Sequence, residues 1–286
     1  MHHDDTLVHE DAALTRDEGG HDVALDYDTP LDAALQRELE SIDASLRQRF
    51  GMTDADTACG IVDLVAPRVA LVRPDRIEYG ASVPKIGILL AYFVLRPEAA
   101  KGLEPDVRRD LGLMAKASSN ETASRFSQEL GLRAIQQVLC DAGFYDASRG
   151  GGIWVGKHYG LDIEKTPDPV GGHSHGATVR QVLRFWQLLD RGRLVSPEAS
   201  RQMRECFAAP EMPHDDIKFV QGLRERTNVR MLRKWGSWEN WLHDSAIITG
   251  PGRRYALAAL TNHANGDAYL AELAKAVDDV MQRPGE

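Results

Sequence analysis

Residues 79–87 read YGASVPKIG, and the apolar run Ile86 to Leu95 follows directly. Ser82 and Lys85 therefore stand three residues apart where a buried helix begins. Residues i and i+3 share a helix face, so the spacing brings the serine hydroxyl and the lysine amine within reach of one another. Pro84 suits a helix start, because its missing N–H would have no partner there in any case. A serine at this end feels the positive pole of the helix dipole, which favours a developing negative charge. A lysine held against an apolar helix has its charged form disfavoured by desolvation, and this turns it toward use as a base. The pair thus has the makings of a nucleophile and its activator. A capping serine beside a snorkelling lysine would leave the same four-residue trace.

Upstream, Ile61 to Val65 and Val69 to Val72 are β-branched runs punctuated by Pro67 and Pro74, which predict two short strands leading into the serine. Before them, Leu31, Ala34, Leu35, Leu39, Ile42 and Leu46 recur at helical spacing from Pro30 to Phe50, with Gly51 as the stop. Downstream the chain is helical in character. Thr178 and Gln181 form a capping box that starts one of these helices near residue 179. Between Arg149 and Gly176 the glycine-rich stretch RGGGIWVGKHYGLDIEKTPDPVGGHSHG predicts a long loop of the kind that is often functional. Strands return around the turn Gly250-Pro251-Gly252-Arg253, and an amphipathic helix closes the chain. Strands at both ends can share one antiparallel sheet only if the helical block is an insertion. The expected organisation is an α/β lobe from 31–83 and 217–286, an all-helical lobe from 84–216, and a cleft between them.

The 286 residues are 43% hydrophobic, enough for a substantial core. The net charge of −9 is concentrated at the start: the first thirty residues hold nine acids against Arg16, leaving the remainder near −1. Residues 1–30 are expected to be an acidic, solvated extension, having too few apolar side chains to offset the entropy of ordering. No Lys/Arg stripe stands out to neutralise phosphates, so a nucleic-acid partner is not expected. The longest apolar run is half of what a membrane span requires, and no leader is visible; the expectation is a cytoplasmic monomer without membrane contact, or a periplasmic or secreted one if a leader was removed. Cys59, Cys140 and Cys206 show no metal spacing and are expected to be buried free thiols.

Two later strings give the serine and lysine their context. Ser118-Ser119-Asn120 is a Ser-x-Asn at a helix start, where Ser118 and Glu121 also fit a capping box. Lys234-Trp235-Gly236 is a Lys-x-Gly in a strand-like segment, followed by Ser237. The order Ser-x-x-Lys, Ser-x-Asn, Lys-x-Gly resembles the motif set of class A β-lactamases and penicillin-binding proteins, over nearly all of residues 31 to 286. The resemblance implies a two-lobed β-lactamase-like α/β fold, with an antiparallel sheet flanked by N- and C-terminal helices and an inserted all-α lobe. It implies a serine hydrolase that opens a β-lactam or related amide or ester through an acyl-serine. In that scheme Ser82 is the nucleophile and Lys85 takes its proton. Ser118 relays a proton to the leaving nitrogen, Asn120 holds a substrate carbonyl and Lys234 faces a substrate carboxylate. The N–H groups of Ser82 and Ser237 form the oxyanion hole.

The sequence departs from the family at several points. No Glu-x-x-Leu-Asn, which supplies the deacylating water in class A enzymes, is present. Asp162, Glu164 and Asp168 are the acids of the corresponding loop, and Glu164 is the candidate substitute base. Trp235 occupies a normally small position, and with Trp238 it predicts a narrowed or aromatic-walled cleft. The Ser82 to Ser118 interval is short. His173 and His175 lack a third ligand, so no metal and no cofactor is expected. A small-molecule substrate is. The alternatives are a peptidase, acyltransferase or esterase of the penicillin-binding type, and a binding module that keeps the fold without catalysis.

Overall fold

The computed structural model describes residues 24–163 and 165–282. The Asp32 carboxylate accepts the Leu35 N–H, and Gly51 (φ 68°) ends the helix in the left-handed region, so α1 (Ala33–Phe50) has the extent its leucine spacing predicts. Strands β1 (Thr57–Asp63), β2 (Val69–Val72) and β3 (Glu78–Tyr79) follow, and then a helical block: α2 (Lys85–Leu95), α3 (Pro105–Ala115), α4 (Asn120–Leu130) and α5 (Leu132–Asp141). The glycine-rich stretch expected to be a loop carries short strands. β4 (Tyr145–Asp146) pairs with β5 (Gly151–Gly152), and β6 (Trp154–Val155) and β3 both pair with β7 (His175–Ala177). Helices α6 (Val179–Asp190), α7 (Pro197–Ala208) and α8 (Phe219–Leu223) lead to β8 (Arg230–Arg233), β9 (Gly236–Trp238), β10 (Trp241–Gly250), β11 (Arg253–Asn262) and the closing α9 (Gly266–Met281). Thr178 caps α6 by accepting the Gln181 N–H, as its motif predicts.

The main sheet is antiparallel throughout, in the order β2-β1-β11-β10-β8, with β9 continuing the β8 edge along β10. Its central strands are buried on both faces, so they read as continuous apolar runs rather than as alternation. Cys59, Ile61, Tyr255 and Leu257 face α1 and α9, packing on Leu39, Leu270 and Leu273. Ala58, Val62, Ala256 and Ala258 face the other way, into a core with Val179, Leu183 and Trp186 of α6 and the side chains of α2. A Cβ at Gly60 would stand 2.7 Å from both Leu183 and Leu71, which fixes how closely α6 approaches the sheet. The chain thus has the mixed α/β architecture that the sequence predicts, with the helical block inserted between strands of one sheet.

Two expectations need correction. Residues 24–27 do not belong to a solvated extension: Ala24 and Leu25 are buried, the Leu25 N–H donates to Gln187 Oε1 at 2.6 Å, Arg180 bonds the Asp26 carbonyl, and Gln181 bonds the Tyr27 hydroxyl. Residues 1–23 lie outside the described residues. Cys140 is exposed, while Cys59 and Cys206 are buried; all three are free thiols. Among the described residues no helix is long and apolar enough to cross a membrane.

Candidate active site

Ser82 lies in a turn that tightens into α2. The N–H groups of Lys85, Ile86 and Gly87 bond the carbonyls of Ser82, Val83 and Pro84, an i to i+3 pattern that eclipses residues three apart. Lys85 Nζ is consequently 3.0 Å from Ser82 Oγ. The turn is pinned from three sides: His243 Nε2 bonds the Tyr79 carbonyl at 2.7 Å, the Gly80 N–H donates to the His175 carbonyl at 2.7 Å, and the Tyr159 hydroxyl donates to the Ala81 carbonyl at 3.0 Å. Ala81 adopts φ 47°, a left-handed conformation that costs an ordinary residue ~1–2 kcal/mol and persists because these contacts hold it.

The Ser118-Ser119-Asn120 turn delivers the second group of side chains. Its capping role falls to Ser119, whose hydroxyl accepts the Thr122 N–H; Ser118 instead takes φ 60° and faces the two lysines. Lys85 Nζ donates to the Ser118 carbonyl (2.5 Å) and Asn120 Oδ1 (2.7 Å), with Ser118 Oγ at 3.4 Å. Lys234 Nζ reaches Ser118 Oγ at 2.7 Å. Burial lowers Lys85 to about 7 and pulls Lys234 well below its ordinary value, the charge of Lys85 adding to the effect on Lys234. Among the described residues neither amine has a carboxylate within ion-pairing distance. Instead, Lys85 Nζ stands 4.5 Å from the centre of the Tyr159 ring, which stacks on His175 at 4.1 Å. His175 and His243 are both held near 4 by burial, so these imidazoles are neutral fixtures.

The edge strand provides the backbone donors. Lys234 and Ser245 exchange both backbone hydrogen bonds, and pairs alternate along an antiparallel ladder, so Ser237 opposite Leu242 turns its N–H away from β10 toward the open edge. The adjoining Gly236 lies so close to the serine turn that a Cβ there would stand 2.8 Å from Ser82 N and 2.9 Å from the Gly80 carbonyl. Ser82 and Ser237 line one cavity of about 330 Å³, with Asn120, Tyr159, His175 and Trp238 around it. Ser82, Lys85, Ser118, Asn120, Lys234, Gly236 and Ser237 are therefore gathered at one place. A hydroxyl 3.0 Å from a desolvated amine, with backbone N–H groups beside it, is an arrangement suited to attack on a carbonyl.

Other residues expected at the site are placed differently. Trp235 is half-buried outside that cavity, its ring 5.0 Å from Lys218 Nζ and 5.6 Å from Lys234 Nζ; of the two tryptophans it is the exposed Trp238 that borders the cleft. Asp168 is buried and accepts the N–H groups of Val170, Gly171 and His173, while Asp162 pairs with Lys157 and Lys165. Glu164 lies outside the described residues. His173 and His175 form no metal-binding group with a third side chain among the described residues. Sequence reasoning missed Lys218, which is wholly buried, adopts φ 55° and donates to the Gly236 carbonyl (2.8 Å) and Ser237 Oγ (2.6 Å). It also missed His243. Neither belongs to a local motif; His243 comes to the site from β10 and Lys218 from the start of α8.

A search of curated proteins returns no match. Among solved structures, the fold resembles a β-lactamase from Sphaerobacter thermophilus (TM-score 0.68, 18% identity, 87% of this chain and 99% of that one). It also resembles an ancestral class A β-lactamase (0.65, 20%, 85% and 99%). A third is PBP-A (0.64, 15%, 88% and 98%), a variant of which is described as an acyl-enzyme complex with penicillin G. These identities establish likeness of fold. Residues 29–281 match the family described as the β-lactamase enzyme family. With nine-tenths of its length covered by that match, the chain belongs to the β-lactamase enzyme family.

Proposed function

We propose that this protein is a serine hydrolase that opens a β-lactam, or a related strained or activated amide or ester, through an acyl-Ser82 intermediate. Neutral Lys85 takes the Ser82 hydroxyl proton as Oγ attacks the carbonyl carbon. The N–H groups of Ser82 and Ser237 hold the resulting oxyanion, and two such donors contribute roughly 3 kcal/mol each by analogy with removal of one donor elsewhere. Collapse breaks the C–N or C–O bond while Ser118, between Lys85 and Lys234, passes a proton to the leaving atom. Lys234 attracts a substrate carboxylate, and Asn120 offers its amide to a side-chain carbonyl. The observation that carries this reading is the desolvated Lys85 amine 3.0 Å from Ser82 Oγ, lowered to about 7.

Release of the acyl group is the slow half of the proposed reaction. No carboxylate of the described residues meets Lys85, and a tyrosine ring faces it instead. This favours a long-lived acyl-enzyme, and with it a second reading: acyl transfer or peptidase action of the penicillin-binding type, in which Lys85 itself activates the acceptor. A binding module without catalysis is disfavoured because a nucleophile, its base and a proton relay have no use in a pocket that only holds ligand. Chromogenic cephalosporin turnover, run beside intact-protein mass spectrometry, separates the readings. A stoichiometric burst with a persistent adduct supports slow release, steady turnover supports a β-lactamase, and adduct or turnover that survives Ser82→Ala refutes the assignment of the nucleophile.

A further inference from the structure

A second cavity, of about 520 Å³, opens beside the one over Ser82. The two share Asn120, Tyr159 and Gly160, so the space is continuous with the cleft past the Asn120 amide. One wall is the outer face of α4, where Glu121, Ser124 and Gln128 follow Asn120 at helical spacing; the other is the backbone from Tyr159 to Leu161. The polar groups differ in whether they are engaged. Arg125 on this wall bonds Asp110 Oδ2 at 2.7 Å and stacks over Phe126, and Gln128 Nε2 bonds Ser124 Oγ at 3.0 Å. Across the cleft Lys157 and Lys165 share Asp162. The Glu121 carboxylate is exposed and has no ion pair among the described residues. The uncompensated charge on this wall is therefore negative.

We infer that this cavity is a subsite for the acyl-side substituent of the substrate, and that Glu121 selects a substituent carrying an ammonium or another cationic, donor-rich group over an anionic one. The inference rests on the acyl-Ser82 reading. A substrate whose carbonyl sits at Ser82 and whose side-chain amide meets Asn120 directs its remaining acyl chain past Gly160 into this space. Glu121 also lies in the first turn of α4, where an acid complements the helix dipole. That structural role would change stability without discriminating between probes.

The test compares two penicillins of equal size, one with an α-aminophenylacetyl side chain and one with an α-carboxyphenylacetyl side chain, by their second-order rates of acylation. The amino probe is expected to react at least about threefold faster, the scale of one exposed charge interaction gained and one repulsion avoided. In Glu121→Gln the ratio is expected to fall to about one. In Glu129→Gln, an equal loss of charge on the same helix where Glu129 pairs with Arg96, it is expected to stay at the parent value. A ratio near one in the parent, a preference for the carboxylate probe, or a preference that persists in Glu121→Gln overturns the subsite. Failure of both probes to acylate overturns the hydrolase reading and the subsite with it, a result distinct from equal rates.

Discussion

A lysine that loses its water on folding gives up its proton more readily, and Lys85 falls from 10.5 to about 7 for that reason. Below that value it is protonated and cannot accept the Ser82 proton. Acylation should therefore rise with pH through about 7 and be ~100-fold slower at pH 5 than at pH 8, measured as the second-order rate of adduct formation. Lys85 and Lys234 both contact the Ser118 hydroxyl, and the charge of Lys85 helps to lower Lys234. Both are lowered in the folded state, which accordingly binds fewer protons than the unfolded chain between about pH 7 and their ordinary 10.5. Through these groups stability rises with pH across that window, and Lys85→Met should flatten the rise in a series of thermal midpoints. At this scale the sequence showed the side chains that the structure gathers around Ser82, because each sits in a short motif whose spacing has a chemical reason. Tyr159 was visible only as part of the long loop expected between Arg149 and Gly176, and its place against Lys85 depends on stacking with His175, sixteen residues further along that folded-back segment.

Elements determine how well those side chains are held. On β9, a methyl group added at Gly236 meets backbone on two sides rather than a yielding side chain. Gly236→Ala should displace Ser82 N from Ser237 N and slow acylation on the order of 100-fold, the effect of losing one oxyanion donor, with the far-ultraviolet spectrum unchanged. The loop between β6 and β7 is organised by Asp168, which accepts three backbone N–H groups and the Tyr145 hydroxyl from a buried position. Asp168→Asn should cost about 1–3 kcal/mol in denaturant unfolding and increase protease cleavage between 168 and 174, because an amide cannot satisfy all of those donors. Helix α1, the paired strands and the 250–253 hairpin were legible because a single apolar period or turn signal covers each. The side on which Trp235 falls was not, since that parity follows from register with β10, set by contacts far away in sequence.

The whole molecule joins the site to its cores through a buried ion pair. Arg233, beside Lys234, makes bonds of 2.8–3.0 Å to Asp244, and both side chains are fully buried. Asp244 also accepts the N–H groups of Phe219 and Ser245, tying α8 to β10. Asp244→Asn leaves the Arg233 charge buried without its counter-charge, and should lower unfolding free energy by about 3–5 kcal/mol in a denaturant titration. The division into a sheet with an inserted helical block could be read from element order, because strands at both ends of a chain need one another. The packing of residues 24–27 on α6 could not, since an acidic composition masks the two apolar residues, Ala24 and Leu25, that anchor it. The central claim is that one serine is acylated. After reaction with penicillin and tryptic digestion, the added mass should lie on the peptide 77–85, where Ser82 and Tyr79 are the only hydroxyls, with fragmentation assigning it to Ser82. Mass on any other residue, or no adduct with any β-lactam or activated ester tried, would contradict the account.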